Sequence, residues 1–435
     1  MGSALGKKLA IRKIKMNIKK NIVVIGGGFA GLQFIQNLDM NDFNVLLLDK
    51  LNHHQFQPLF YQVATAQLEP SSISYPFRKI FQYKKNVEIR MAEVVKIDTD
   101  SNTVISTIGS FQYDYLVIAS GCKTNFFSNN EIKKNALTLK TTYDAITIRN
   151  HILLNFEQII SAPETEKESL LNIVIVGAGP TGVELVGAFA EIKKNILPKD
   201  YPSIDFSKLN VILIEGSKHT LSSMSNNAQN ASRNYLEQLG VTLYTEVFVK
   251  NYDGALVTLS NGMLIKSKNL IWAAGVTGNL IQGLKEDVLA PGNRIKVDRT
   301  NAVWGLSNVF AIGDMAYMQT PKYPNAHPQL ANVAINQAKN LAKNFKAMVV
   351  DKPLRDFEYK DLGSMATIGK SRAVVDLPFI KFKGYLAWYV WMFVHLMLIL
   401  SVRNKLIIFI NWAWNYFTKD TSLRLILSQK NNNEK

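Results

Sequence analysis

Short runs of consecutive apolar residues recur along the first three quarters of the chain, each followed closely by glycine or an acid. Ile22-Val23-Val24-Ile25, Val45-Leu46-Leu47-Leu48, the apolar part of Asn172–Val176 and Val211-Ile212-Leu213-Ile214 are of this kind. So are "YLVIASG" (115–121), "LIWAAGV" (270–276) and "NVFAIGDMA" (308–316). Runs of this length without polar alternation suit strands buried on both faces, as in a parallel sheet. Two of them lead into stretches that read as helices, 29–38 and 181–192. The order strand, helix, strand occurs twice and predicts an α/β fold with two Rossmann-like dinucleotide-binding domains.

The pattern changes near the C-terminus. Residues 384–402 carry no Asp, Glu, Lys or Arg, and 406–414 form a second apolar run. The first run barely reaches the roughly 20 residues of a spanning helix. Lys381 and Lys383 flank it on one side, Arg403 and Lys405 on the other, which gives no orientation bias. Trp388, Trp391, Trp412 and Trp414 cluster in the two runs, as interfacial anchors do. A helical hairpin lying in one leaflet fits this pattern. A single spanning helix and a helix buried on the core are the alternatives.

Charge sharpens the picture. The chain has 50 Lys and Arg against 34 Asp and Glu, a formal net charge of +16. Seven of the basic residues and no acid lie in the first twenty positions; residues 376–435 hold eight against three acids. The middle is close to balanced, which argues against a nucleic-acid groove. The basic ends point instead to an acidic surface such as a membrane. Residues 1–17 read as a basic arm without the apolar core of a secretory signal. The one cysteine, Cys122, excludes a disulfide framework and a redox cysteine pair, so a disulfide reductase is a poor reading. No histidine pair has zinc-like spacing, and no metal site is expected.

The candidate chemistry sits at two glycine turns. In the first, Gly26 makes the tight turn, Gly28 lets backbone approach a pyrophosphate, and Gly31 allows close helix packing. Gly27, Phe29 and Ala30 complete it, and the helix start offers free N–H groups to phosphate. Asp49 ends the next strand, 18 residues after Gly31, where a carboxylate accepts ribose hydroxyls. The second turn is Gly177, Gly179, Pro180, Thr181 and Gly182, and Glu215 ends its second strand. A carboxylate there repels a 2′-phosphate and favours NADH over NADPH. Two units with two partners suggest a resident flavin and a diffusing nicotinamide. Asp314, after a short buried strand, is placed to bind flavin ribityl hydroxyls. Glu184, in the first turn of the second helix, has two readings: an acid favoured by the helix dipole, or a group acting between nicotinamide and flavin.

These features resemble the type II NADH dehydrogenases, single-subunit NADH:quinone oxidoreductases that pump no protons. The resemblance runs over about residues 18–428. It rests on "GGGFAGL", "HHQFQPLFYQVAT" (53–65), "VGAGPTGVELVGAFAE" (176–191), "IWAAGV", "VFAIGDMA" and the tail from 369 to 417. The tail and the 53–65 segment separate this family from its relatives; the glycine motifs do not. The resemblance implies bound FAD, NADH as substrate, hydride transfer to the flavin, then two electrons to a quinone in the lipid phase. It assigns Lys50, Val94, Ala119, Ala331 and Asn332 to FAD beside the first turn, Asp49 and Asp314. It assigns Gly275 to NADH and Glu184 to catalysis. Asn332, Asn336 and Gln337 would contact quinone. The family pattern there is Ala-Gln-x-Ala-x-Gln-Gln, so Asn332 and Asn336 are each a methylene shorter than the usual glutamine.

The domain reading is a discontinuous flavin domain, 18–140 and 286–375, with an NADH domain, 165–285, inserted and 376–435 as membrane anchor. A homodimer on the cytoplasmic face of a bacterial inner membrane is expected. The tail is expected to be dispensable for passing electrons from NADH to a water-soluble acceptor. The rival reading is a tethered soluble-type reductase feeding another acceptor.

Overall fold

Two five-stranded parallel sheets repeat one plan. The first runs Val309–Ala311, Tyr115–Ile118, Lys20–Ile25, Phe43–Asp49, Val87–Met91, with every neighbouring pair parallel. The second runs Leu137–Thr138, Asn269–Trp272, Asn172–Val176, Asn210–Glu215, Thr242–Thr245 in the same arrangement. The repetition includes an antiparallel meander inserted after one edge strand of each sheet, Val87–Met91 in the first and Thr242–Thr245 in the second. Val94–Asp98, Thr103–Ser106 and Gly109–Gln112 form the first; Val249–Tyr252, Leu256–Leu259 and Leu264–Lys266 form the second. The structure is a computed structural model that describes residues 19–420 and 423–427, and the basic arm 1–17 lies outside them.

Apolar runs became strands because neighbours occupy both edges and side chains cover both faces. Ile22, Val23, Val24 and the whole of Ile173–Ile175 are buried. The helices are Phe29–Asn37 and Pro180–Asn195. The second starts one residue early because proline suits a first helical turn, and it continues through Lys193, Lys194 and Asn195. Leu137–Thr138 pairs with Ile271 and Trp272. The chain has therefore crossed to the second sheet before the 18–140 range ends. A two-stranded link, Cys122–Thr124 with Val276–Gly278, ties the units together.

A third sheet, Ser364–Thr367, Ala373–Asp376 and Lys381–Gly384, leads into the tail. The apolar stretch 384–402 is not one helix. Tyr385–Leu398 ends where Ile399 turns extended (ψ 134°), and Ser401 caps Val402–Thr418 by accepting the Asn404 N–H. No described helix is long and apolar enough to cross a membrane. Ala387, Trp391, Ile408 and Trp412 are buried in the core shared with the second unit. On the opposite face Leu386, Phe393, Leu406, Ile410, Trp414 and Phe417 are exposed. The tail is thus a pair of helices with one apolar face packed on the core, as the buried-helix alternative expects, and the other exposed.

Candidate functional site

The first glycine turn has the geometry its spacing predicts. Gly26 has φ +96°, and a Cβ there would strike the Ala119 carbonyl. A Cβ on Gly31 would run into the carbonyl oxygen of Gly26, so the helix closes on its own turn. A Cβ on Gly28 would meet nothing within 4 Å, because this glycine faces open cavity. The Asp49 carboxylate accepts the Gly27 N–H at 2.6 Å and the Leu51 N–H at 2.7 Å. Burial pushes its carboxyl up, while these two N–H bonds pull it back.

The second turn copies the first. Gly177 has φ +100°, and a Cβ on Gly182 would hit the Gly177 carbonyl. Glu215 accepts the Ala178 N–H at 2.6 Å and the Ser217 N–H at 2.8 Å, as Asp49 does in the first unit. Gly275 (φ +73°) packs against Phe127. Thr141, Ser225 and Ser401 cap helices elsewhere in the molecule. The helices starting at Phe29, Pro180 and Ala331 have no side-chain cap. Phe29, Pro180 and Ala331 all line one cavity of about 550 Å³. Uncapped N–H groups at three helix starts suit phosphate and other anionic oxygens.

Gly26, Gly27, Gly28, Phe29, Ala30, Asp49, Ala119, Asp314 and Ala331 share that cavity wall, joined by Pro180, Thr181 and Glu184 from the second unit. An open glycine cradle, a half-buried carboxylate and free helix starts in this volume fit a dinucleotide such as FAD. Asp314 accepts the Cys122 S–H at 2.9 Å, and Lys140 Nζ approaches the same sulfur at 3.2 Å. Burial and Asp314 push the thiol up to about 11, so Cys122 stays protonated. His54 bonds the Gly27 carbonyl through Nδ1 at 3.1 Å, and burial brings it down to about 4. It is a neutral turn support rather than a proton donor. His395, from the tail, also lines the cavity. Its Nδ1–H donates to the Trp391 carbonyl at 2.8 Å, which fixes the tautomer and leaves Nε2 an acceptor.

Glu184 is buried and lies on two cavities. One is the nucleotide cavity. The other, about 90 Å³, is bounded by the Pro180–Asn195 helix, Thr367, Lys370 and the tail residues Trp388, Trp391, Met392 and Trp412. Gly187 makes this possible: a Cβ there would stand 2.6 Å from the Gly369 nitrogen, so only glycine lets residues 367–369 lie against the helix. One turn earlier, Glu184 accepts the Thr367 N–H at 3.3 Å. One turn later, Glu191 accepts the Lys370 N–H at 3.1 Å. Burial pushes the Glu184 carboxyl up to about 8. Thr367 opposes the shift, as does the Trp391 indole, whose N–H lies near but outside normal hydrogen-bond geometry. A polar chain continues from there. Tyr61 OH meets Thr367 Oγ1 at 3.1 Å, Gln62 donates to Tyr61 OH at 2.9 Å, and Trp412 donates to Gln62 at 2.7 Å. Tyr61, like Glu184, borders both cavities.

Several residues assigned from the sequence lie elsewhere. Lys50 is ion-paired to Glu93 at 2.6 Å on the surface. Val94 starts the first meander, off the cavity wall. Asn336 donates to the Asn332 carbonyl of its own helix at 2.8 Å, and neither residue lines the nucleotide cavity or the tail cavity. Gln337 is fully buried and accepts the Gly313 N–H at 2.8 Å, which anchors the Asp314 turn from behind. Tyr61, Gln62, Thr367, Trp391, Lys140 and His395 were not assigned. An available signal was Gly187, a glycine inside a helical pattern, which usually marks close packing. Among the described residues no cluster of His, Cys, Asp and Glu could hold a metal.

Comparison with known proteins gives the same reading. The pyridine nucleotide-disulphide oxidoreductase family model matches residues 20–338, and the NDH2 C-terminal domain model matches 362–419. The type II NADH:quinone oxidoreductase Ndh of Mycobacterium tuberculosis is 32% identical over 420 residues, covering 92% of this chain and 89% of that protein. The mitochondrial internal alternative NAD(P)H-ubiquinone oxidoreductase A1 of Arabidopsis thaliana is 30% identical, covering 93% of this chain and 86% of that protein. The fold is that of Plasmodium falciparum NDH2 solved with NADH, at a TM-score of 0.87 and 23% identity over 94% of this chain and all of that one. Matched across both its nucleotide units and its tail, the chain belongs to the pyridine nucleotide-disulphide oxidoreductases and, within them, to the type II NADH:quinone oxidoreductases.

Proposed function

We propose that the protein oxidises NADH and reduces a membrane quinone, with the two half-reactions meeting at Glu184. FAD, when bound, accepts hydride from NADH and supplies two electrons to quinone. Gly26 to Gly31, Asp49, Ala119, Asp314 and Ala331 would hold it, the glycines and helix starts being suited to phosphates and the two carboxylates to hydroxyls. Gly177 to Gly182 and Glu215 hold NADH. The observation that carries the reading is that Glu184 and Tyr61 stand on both the nucleotide cavity and the tail cavity. Glu184, largely protonated at neutral pH, can hold a proton at the boundary. Thr367, Tyr61 and Gln62 fix its position, and Trp391 with Trp412 keep water out of the tail side. The quinone ring is assigned to that tail cavity.

In this reading residues 18–136 and 286–375 make the flavin domain, and 137–285, with its connecting helix Thr142–Ile159, the nicotinamide domain. The exposed apolar face of the tail hairpin lies in the membrane surface, and Lys381, Lys383, Arg403 and Lys405 meet anionic headgroups. The cytoplasmic face of a bacterial inner membrane suits those basic flanks. The homodimer implied by the family resemblance belongs to the same reading, and sedimentation of the detergent-solubilised protein checks it. The test of function is an absorbance spectrum followed by anaerobic NADH titration with and without a short-chain quinone. Flavin bleaching by NADH and recovery on quinone addition is the expected result; a colourless protein after FAD addition refutes the reading.

A further inference from the structure

We propose that Arg149 binds one small inorganic anion, of chloride size, in a cavity behind the Tyr61 segment. Arg149 lies on the helix Thr142–Ile159 and is 3% exposed. Its Nε and Nη2 are buried and make no hydrogen bond, and it forms no salt bridge among the described residues. A guanidinium carries five donors and cannot shed its proton, so burial without an acceptor is strongly unfavourable. The acid whose charge reaches it, Glu69, is itself exposed and accepts the Ser71 hydroxyl.

Among the described residues the surroundings offer no other counter-charge. The cavity wall beside Arg149 contains Ile152, Phe156, Phe189 and Leu209, the backbone turn 64–66, and no carboxylate. Arg424 closes one side, and its own charge is committed to Asp200 and Asp420. The Asn150 side chain seats the segment 423–427 over the helix, donating to the Leu427 carbonyl at 2.6 Å and accepting its N–H at 3.0 Å.

Size selects the ligand. The cavity measures about 20 Å³, just above the roughly 10–15 Å³ that one water needs. A small anion suits this volume better than a lipid headgroup or a nucleotide. A water fits but brings no charge, whereas a small halide adds a counter-charge inside the cavity to the distant one of Glu69. The site borders Ala64 and Thr65, directly after the helix Phe60–Ala64 that carries Tyr61 and Gln62. An anion there would tie the Tyr61 segment to the long helix behind it.

The test uses the FAD-loaded full chain. Crystals grown with sodium bromide in place of chloride should show an anomalous bromine peak against the Arg149 guanidinium. At fixed ionic strength, replacing gluconate by chloride should raise Tm by about 2 °C or more, and Arg149→Met should abolish that response. Density for water alone at Arg149, or a Tm indifferent to chloride, overturns the proposal, as does an equal chloride response in Arg149→Met. Should that variant fail to fold, the bromide map and the chloride titration of the parent protein still decide.

Discussion

The two glycine turns are near copies in backbone, yet they sit in different surroundings. Each has a positive-φ glycine, a last glycine pressed on the carbonyl of the first, and an acid holding the second turn residue by its N–H. Around the first turn, Asp314, Ala119, Ala331 and the tail residue His395 close a deep cavity. Around the second, Gly179, Pro180 and Thr181 are exposed, and Glu215 stands outside that cavity. The turn supplies phosphate geometry; the enclosure sets whether the nucleotide stays. Under the proposed function, the first unit suits a resident cofactor and the second a substrate that must leave.

The comparison is broken most strongly at the last glycine of each turn. Gly31→Ala and Gly182→Ala introduce the same clash, equivalent to roughly 1–3 kcal/mol of overpacking. Gly31→Ala should yield protein without flavin absorbance. Gly182→Ala should keep the flavin and lose about 100-fold in NADH-driven reduction rate, measured by stopped flow. Equal flavin loss in both variants would erase the distinction between the units.

The tail tests the comparison next. Trp391 and Trp412 are buried against the second unit, Trp412 donates to Gln62, and Asn404 donates to the carbonyls of Ser71 and Ser72. The expectation that 384–435 can be removed without harm to NADH oxidation does not survive these contacts. Deletion should lower Tm and impair even ferricyanide reduction. Replacing exposed Leu386, Phe393, Ile410 and Phe417 by serine should release the protein from vesicles and leave ferricyanide reduction intact. Release together with loss of ferricyanide activity would mean the exposed face also supports the core.

Glu215→Ala should raise KM for NADH about tenfold, because the Ala178 N–H loses its acceptor, and should narrow the preference over NADPH. Steady-state rates with both cofactors check this. An unchanged NADH to NADPH ratio would leave Glu215 a turn support alone.

The smallest effect is on stability against pH. Between the ordinary glutamate value of 4.5 and about 8, the native protein holds a proton at Glu184 that the unfolded chain has lost. That contribution falls as pH rises through the window, by up to about 1.4 kcal/mol per unit. His54 and His395, held down to about 4, act oppositely: their contribution is lost as pH falls from 6.5. Above pH 6.5 Glu184→Gln should therefore flatten the decline in Tm, and below it the histidine-driven slope should remain. A parent protein as stable at pH 8 as at pH 6.5 would argue against the buried, protonated carboxyl.

Local signals carried the parts of this molecule that depend on local chemistry. Ile22 to Gly31 and Asn172 to Gly182 announce strand, turn and helix because each step needs specific backbone freedom or burial. Asp49 and Glu215 follow at strand ends for the same reason. What the sequence conceals depends on distant chain segments meeting. Thr367 reaches Glu184 across 183 residues, and Trp412 reaches Gln62 across 350. Asn332 and Asn336 look like site residues through the resemblance to the family's glutamine pattern, but the helix rotation turns them off the cavity wall and sends Gln337 inward. The tail reads as one apolar run up to residue 402, since neither Ile399 nor Ser401 is a strong helix breaker.

The central claim, that Glu184 joins the two half-reactions, is tested most directly by anaerobic stopped flow on Glu184→Gln. Flavin reduction by NADH and reoxidation by a short-chain quinone are followed separately from pH 6 to 9. Expected are bound flavin, a slowed quinone step or weakened nicotinamide binding, and a rate inflection near pH 8 in the parent that the variant lacks. Unchanged rates in both half-reactions, with the inflection intact, would contradict it and leave Glu184 a buried support of the Thr367 backbone.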